Sequence, residues 1–83
     1  MEFNLYVKLM EECGEVVQAC SKVLKRGRHG VGSASIVENQ NLSEEVGDVL
    51  AIIRLLQSKD ALDPVVVGEK LKQTYEKYQH LEL

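Results

Sequence analysis

Four carboxylates occur in a repeated pattern. Residues 11–17 read Glu-Glu-Cys-Gly-Glu-Val-Val, and residues 44–50 read Glu-Glu-Val-Gly-Asp-Val-Leu. Both segments follow the order Glu-Glu-x-Gly-acid-Val-aliphatic, 33 residues apart. A solenoid would need at least a third copy of such a repeat, and the sequence contains none. The pattern therefore calls for a local explanation on each segment.

Helical geometry offers one explanation. Positions three apart on an α-helix share a side, with Cβ atoms about 5–6 Å apart. Glu12 and Glu15 lie on one edge of the apolar stripe of the first predicted helix, and Glu45 and Asp48 lie on the matching edge of the second. If the two stripes pack antiparallel, the four carboxylates converge.

Such a cluster predicts a bound cation, because several like charges in a partly dry place are strongly unfavourable alone. Hard oxygen ligands without neighbouring Cys or His suit Mg²⁺ or Mn²⁺. Di-iron sites usually need Glu-x-x-His on two helices, and neither His29 nor His80 stands three residues after an acid. We therefore predict a magnesium site.

A simpler interpretation is that these acids are solvated. Single Glu-x-x-Glu pairs are mostly surface residues, and Glu44 and Glu45 could serve the dipole of a helix N-terminus. Gly14 and Gly47, however, repeat at the same place within the two motifs, although a mid-helix glycine costs up to about 1 kcal/mol relative to alanine. The doubled motif and its repeated glycine favour the metal site.

Basic residues follow the first acidic pair. Lys22 and Arg26 are aligned with the acids on the predicted helix, and Lys25, Arg28 and His29 extend the basic group. Mg²⁺ is often held by carboxylates together with substrate phosphates. We therefore take Lys22 and Arg26 as candidate phosphate contacts; a solvated, dipole-matched helix end explains Lys25 and Arg28 equally well.

Hydrophobic periodicity predicts an all-α chain forming a single domain over residues 1–83. Apolar residues recur at three- and four-residue steps through three segments. Gly27 is a predicted C-cap, Asn41 or Ser43 a predicted N-cap, and Asp63 caps a helix that has Pro64 at its first position. The predicted elements are a helix over 2–26, a loop over 27–41, a helix over 42–58 and a helix over 64–80.

Composition bounds the assembly and the location. The chain has 83 residues, a net charge of -3, one Phe, three Tyr and no Trp. Because so few side chains are large, the core of an isolated chain would be only marginally stable. We therefore expect a helical bundle completed by homo-oligomerisation. No basic run indicates nucleic-acid binding, and no apolar stretch is long enough for a membrane span. The start, Met1–Lys8, has no secretory-signal pattern, which predicts a cytoplasmic protein.

The two cysteines are not predicted to form a disulfide. Cys13 and Cys20 fall on one predicted helix, with Cα atoms about 10 Å apart at 1.5 Å rise per residue. A disulfide needs less than about 7 Å. We expect both to be small buried apolar side chains.

Glu12-x-x-Glu15 followed by Glu45-x-x-Asp48 resembles the E-x-x-E and E-x-x-D signature of the MazG-like all-α nucleoside triphosphate pyrophosphohydrolases. The resemblance covers roughly residues 3 to 57. It implies Mg²⁺-dependent cleavage of a nucleoside triphosphate to a monophosphate and pyrophosphate in a homodimer or homotetramer. It also implies Glu12, Glu15, Glu45 and Asp48 as metal ligands and Lys22 and Arg26 as candidate phosphate contacts. One carboxylate of this cluster would activate the water, and Glu12 is the candidate from its place in the motif.

A second hypothesis belongs to another class. The chain could be a non-catalytic helical oligomerisation module whose acidic cluster is a structural divalent-cation site. A third, nucleic-acid binding, rests only on the cations from Lys22 to Arg28 in a chain with 13 acidic side chains, and is the least favoured.

Overall fold

The computed structural model describes residues 4–27 and 33–82, and these residues form three helices without a strand. Helix α1 spans Leu5–Lys22 and continues into one π-helical turn, Val23–Gly27. Helix α2 spans Ser33–Ser58 and helix α3 spans Pro64–Tyr78. The all-α prediction is confirmed. None of the described helices is long and apolar enough to span a membrane.

Helix α1 begins later than the predicted residue 2. The side chain of Asn4 accepts a hydrogen bond from the backbone N–H of Val7 at 2.9 Å, which makes Asn4 the N-cap. Residues 1–3 lie outside the described part of the chain. At the other end, the predicted α-helix to residue 26 becomes the π-helical turn, a local widening that often marks functional sites.

Helix α2 corrects the predicted loop over 27–41, because it begins at Ser33. The polar residues that suggested an N-cap near position 42 lie inside the helix. Ser43 donates its hydroxyl hydrogen to the backbone oxygen of Asn39 at 2.8 Å, a bond that serines make within helices. Packing of α2 against the π-helical turn stabilises this extra length. The rest of the predicted loop, residues 28–32, lies outside the described residues.

The turn between α2 and α3 is built from local hydrogen bonds. The N–H of Ala61 donates to the oxygen of Leu56 at 3.0 Å, and Asp60 has a left-handed φ of 56°; aspartate tolerates this conformation better than most residues. Asp63 then caps α3 as predicted, because its Oδ1 accepts from the N–H groups of Val65 and Val66 at 3.0 and 3.2 Å.

Helices α1 and α2 pack antiparallel as a hairpin. The start of α1, at Leu5 and Tyr6, shares a shallow pocket with the end of α2, at Leu56. Ala19 and Leu56 are the buried apolar residues among those described, with 1% and 2% exposure. The acids flanking this contact are therefore placed by one narrow helix–helix interface.

Helix α3 packs extensively against neither α1 nor α2. The radius of gyration is 15.3 Å, compared with about 12 Å for a compact domain of this length. Cys13 and Cys20 are exposed, which corrects the expectation that they are buried. The expected small core is thus even smaller within one chain than the composition suggested.

Candidate metal centre

Three of the four predicted metal ligands come together in the structure. Glu12 of α1 and Glu45 and Asp48 of α2 each place one carboxylate oxygen so that the three atoms lie within 4.8 Å of one another. Glu12 and Glu45 are half-buried and Asp48 is exposed. The cluster is therefore open on one side, as a site that admits a ligand must be.

The hairpin contact explains this convergence. Glu12 lies three residues after Leu9 and four before Val16, both half-buried on the side of α1 that faces α2. Glu45 has the same place on α2, three residues after Leu42 and four before Val49. Since i and i+3 or i+4 residues share a side of a helix, each glutamate is held at the edge of the apolar contact.

Glu15, the fourth predicted ligand, lies outside the three-carboxylate cluster. It is exposed, one turn further along α1 than Glu12. Its charge nevertheless contributes to raising the pKa of Glu45, which places it in the same electrostatic environment. A neighbouring acid, Glu11, is engaged elsewhere: its Oε2 lies 3.1 Å from Nζ of Lys8.

Electrostatic repulsion is concentrated at Glu45. Loss of hydration raises the pKa of its carboxyl, and the charges of Glu15, Asp48, Glu12 and Glu44 raise it further. Each of these effects disfavours the ionised form of Glu45. A divalent cation among the carboxylates would reverse this effect, because it favours the ionised form of every ligand.

The donor set fits a hard divalent ion. All three groups are carboxylates, and Mg²⁺ binds oxygen ligands at about 2.0–2.1 Å, so its ligand oxygens are spaced by about 3–4 Å. Three carboxylate oxygens within 4.8 Å of one another are close to that spacing. Among the described residues, no cysteine or histidine takes part in this cluster, so these ligands do not resemble a typical zinc site.

The family model for the MazG nucleotide pyrophosphohydrolase domain matches residues 3–81, nearly the whole chain. The chain belongs to the MazG nucleotide pyrophosphohydrolase family. Neither the search of curated proteins nor that of solved structures gives a match. The acid cluster of this MazG domain lies within the matched range, on two helices.

The two predicted phosphate contacts of the MazG domain lie beyond the cluster. Lys22 is exposed in the last turn of α1, about 15 Å along the helix axis from Glu12. Arg26 is one turn further on, in the π-helical turn, and its Nη1 lies 3.6 Å from Oε1 of Glu38. Lys22 is thus the nearer of the two cations to the carboxylates.

Sequence reasoning missed Glu38, which is 7% exposed. Buried carboxylates need a partner, and Arg26 supplies one even though that arginine is itself mostly exposed. The sequence spacing indicates this position. Glu38 precedes Leu42 by four residues and Glu45 by seven, so the three residues lie on the same side of α2. The prediction of a loop over residues 27–41 leaves this helical spacing unused.

The repeated glycines face open space. A Cβ added at Gly14 or at Gly47 would have no neighbour within 4 Å among the described residues. The described residues therefore give no packing reason for a glycine at either position. Their surfaces are open on the hairpin as it stands.

Proposed function

We propose that this MazG domain is a Mg²⁺-dependent nucleoside triphosphate pyrophosphohydrolase. It would hydrolyse the bond between the α- and β-phosphates and release a nucleoside monophosphate and pyrophosphate. The convergence of Glu12, Glu45 and Asp48 within 4.8 Å carries the proposal, together with the family of the chain. The substrate is a ribo- or deoxyribonucleoside triphosphate, and Mn²⁺ is an alternative ion.

The metal would be held by the three clustered carboxylates, with Glu15 as a further ligand or as the nearest outer carboxylate. When bound, the ion supplies charge neutralisation for the phosphates and lowers the barrier to attack by water. In return, the ligand carboxylates are kept ionised, which offsets the repulsion at Glu45.

The chain's own residues would position the reactants. Glu12, at the motif's first position, orients a water molecule toward the α–β linkage and accepts its proton. The water oxygen bonds to one of the two phosphorus atoms of this linkage. The bond between that phosphorus and the bridging oxygen breaks, and the bridging oxygen leaves with the other product. The proton then passes from Glu12 to solvent. Lys22 and Arg26 contact phosphate oxygens and stabilise their charge.

The proposed active form is a homodimer or homotetramer, because so little apolar surface is buried within one chain. Its substrates are made and used in the cytoplasm, so we place a nucleotide-pool housekeeping role there. No membrane or nucleic-acid partner is part of the proposal.

The test is a pyrophosphate-release assay with the eight common ribo- and deoxyribonucleoside triphosphates, with Mg²⁺ and with EDTA. We expect release only with metal, and loss of release in Glu45→Gln and in Asp48→Asn. Glu69→Gln, which removes an exposed carboxylate on α3, is the matched control and should keep full activity. Circular dichroism and sedimentation check that each variant keeps its helices and assembly.

Two outcomes would contradict the enzyme. One is the absence of pyrophosphate release from every triphosphate by folded protein that binds Mg²⁺; the non-catalytic module would then be supported. The other is release that EDTA does not affect, because the carboxylate cluster would then have no part in the reaction.

A further inference from the structure

One buried charge lies outside the carboxylate cluster. Glu38 on α2 is buried, and among the described residues its ion-pair partner is Arg26, in the π-helical turn that α2 packs against. Nη1 of Arg26 lies 3.6 Å from Oε1 of Glu38. Where only stability counts, a well-packed apolar residue serves as well as a buried carboxylate with its partner, or better. The pair therefore calls for a reason beyond stability.

The two partners of this pair differ in exposure. The side chain of Glu38 is 9% exposed, and that of Arg26 is 69% exposed. A guanidinium group carries five N–H donors, and at this exposure the donors turned away from Glu38 face solvent. Glu38 thus holds the arginine from the protein side and leaves its outer donors for an anion from solution.

The pair lies at a defined distance from the carboxylate cluster. Glu38 precedes Glu45 by seven residues, which is nearly two helical turns. Both side chains therefore project from the same side of α2, about 10 Å apart along its axis. Because the guanidinium group of Arg26 lies beside Glu38, that positive charge is held about two helical turns from the level of Glu45.

Lys22 lies between the cluster and this pair. It follows Glu12 by ten residues on α1 and precedes Arg26 by four, so the two cations follow each other along one side of the helix end. The order along the hairpin is carboxylates, then Lys22, then Arg26 with Glu38. This order suits a chain of phosphates that is bound at one end through a divalent ion and at the other by cations.

Each phosphate of the proposed substrate then has a different neighbour. The bond between the α- and β-phosphates is cleaved at the cluster, so the terminal phosphate of a triphosphate lies farther from the carboxylates than the other two. Arg26 is the farther of the two cations and is placed for that terminal phosphate. A guanidinium group suits this position, because its planar N–H groups pair with two phosphate oxygens at once.

We propose that Arg26 binds the terminal phosphate of the triphosphate and that Glu38 is the positioning residue that holds the arginine for this contact. The result is selectivity for nucleoside triphosphates over nucleoside diphosphates, because a diphosphate lacks the group that reaches Arg26. Glu38 contributes by restricting a long side chain that would otherwise lose its freedom on binding. This role rests on the proposed function and adds a selectivity that the carboxylates do not supply, since both nucleotides contain the cleaved bond.

The test compares the two kinds of nucleotide on the same protein. A nucleoside diphosphate is hydrolysed at the same bond to the monophosphate and inorganic phosphate, so release of the monophosphate measures both reactions. For the wild type, we expect kcat/KM to be about 30-fold higher with the triphosphate. Arg26→Ala should lower the triphosphate value by about the same factor and leave the diphosphate value unchanged.

Glu38→Gln keeps the size of the side chain and removes its charge. We expect it to lower kcat/KM for the triphosphate about 10-fold, mainly through KM, and to leave the diphosphate value unchanged. In the Arg26→Ala background it should cause no further loss, because Glu38 acts through the arginine. A purely structural role would lower the values for both nucleotides together.

Arg54→Ala is the matched control for the arginine. It removes an exposed arginine nine residues after Glu45, which places it on the opposite side of α2. This variant should keep the wild-type preference for the triphosphate. Circular dichroism checks that each variant keeps its helices.

A binding measurement keeps this selectivity separate from catalysis. Its probes are the α,β-methylene analogues of a nucleoside triphosphate and diphosphate, which cannot be hydrolysed at that bond. Calorimetry with Mg²⁺ should show about 30-fold tighter binding of the triphosphate analogue to the wild type, and equal binding of the two analogues to Arg26→Ala. Selective binding by a protein that hydrolyses neither nucleotide would contradict the proposed function and support the role of Arg26.

Three results would overturn the proposal. The first is a wild type that binds the two analogues alike or binds neither. The second is an equal loss for triphosphate and diphosphate in Arg26→Ala or in Glu38→Gln. The third is tighter binding of the triphosphate analogue by Glu38→Gln, which would show that Glu38 competes with the phosphate for Arg26. If Glu38→Gln does not fold, Arg26→Ala still decides, because it removes the same ion pair at its exposed partner.

Discussion

The α1–α2 hairpin and helix α3 are stabilised in different ways. In the hairpin, a contact between two helices buries Ala19 and Leu56 and brings three carboxylates within 4.8 Å. Helix α3 has a strong N-cap at Asp63 but no extensive packing against the hairpin. Local hydrogen bonds are thus enough to define where α3 starts, whereas the site needs tertiary contact.

The carboxylate cluster and helix α3 therefore depend on different kinds of contact. The three carboxylates of the cluster belong to one chain, so their convergence does not depend on a partner. An isolated helix of 15 residues is marginal in water, so α3 depends on contacts beyond its cap.

The largest expected effect is a loss of activity, and its size should differ between the two glutamates of the first motif, Glu12 and Glu15. Glu12→Gln removes a member of the three-carboxylate cluster, and we expect pyrophosphate release to fall about 1000-fold. Glu15→Gln removes a carboxylate outside the cluster, and a loss of about 10-fold is expected. Steady-state rates at saturating Mg²⁺ measure both; equal losses would show that Glu15 is a full ligand.

The second prediction concerns the pH dependence of the metal-free protein. The pKa of Glu45 is raised, by loss of hydration and then by the charges of its neighbours, so the folded state holds this proton more tightly than the unfolded state. Between the ordinary and the raised pKa, ionising Glu45 lowers the free energy of unfolding as pH rises. Glu45→Gln should remove that loss.

Thermal melting in EDTA measures this effect. The melting temperature of Glu45→Gln minus that of the wild type should increase as pH rises through the window and then level off. Added Mg²⁺ should raise the wild-type melting temperature and reduce the difference. Glu69→Gln is the control, and a difference that stays flat with pH would contradict the assigned repulsion.

Much of the hairpin can be predicted from sequence, since the spacing of Glu12, Glu15, Glu45 and Asp48 predicts four carboxylates at one helix contact, and three of them converge there. The start of α2 cannot, because the side chains of Asn41 and Ser43 favour helix caps over helix interiors, although both residues lie inside α2. The buried Glu38 lies in the same segment, so the prediction of a loop also left it out of the candidate residues. The isolation of α3 could not be predicted, because its apolar stripe is the same whichever chain covers it.

The third prediction concerns the far end of the hairpin. Arg26 is 69% exposed at its side chain and Glu38 only 9%, and the ion pair connects the π-helical turn to α2. A double-mutant cycle with Arg26→Ala and Glu38→Ala should give a coupling of about 0.5–1 kcal/mol, since solvent screens the exposed partner. Chemical denaturation measures it; no coupling would show that the two side chains do not interact in solution.

The last prediction compares the caps of α1 and α3. Asn4→Ala removes one side-chain acceptor from the start of α1, and Asp63→Ala removes the acceptor of two N–H groups at the start of α3. Each change should lower the free energy of unfolding by about 1 kcal/mol, provided that the capped helix unfolds together with the rest of the protein. That condition holds for α1, which packs against α2, and it holds for α3 only if a second copy covers it.

Hydrogen exchange makes the distinction: if α3 is covered, its amides exchange by global unfolding and Asp63→Ala accelerates the exchange of α1 and α3 alike. If α3 is uncovered, its amides exchange quickly in the wild type and Asp63→Ala leaves the protection of α1 unchanged. The second result would mean that α3 contributes nothing to the assembly.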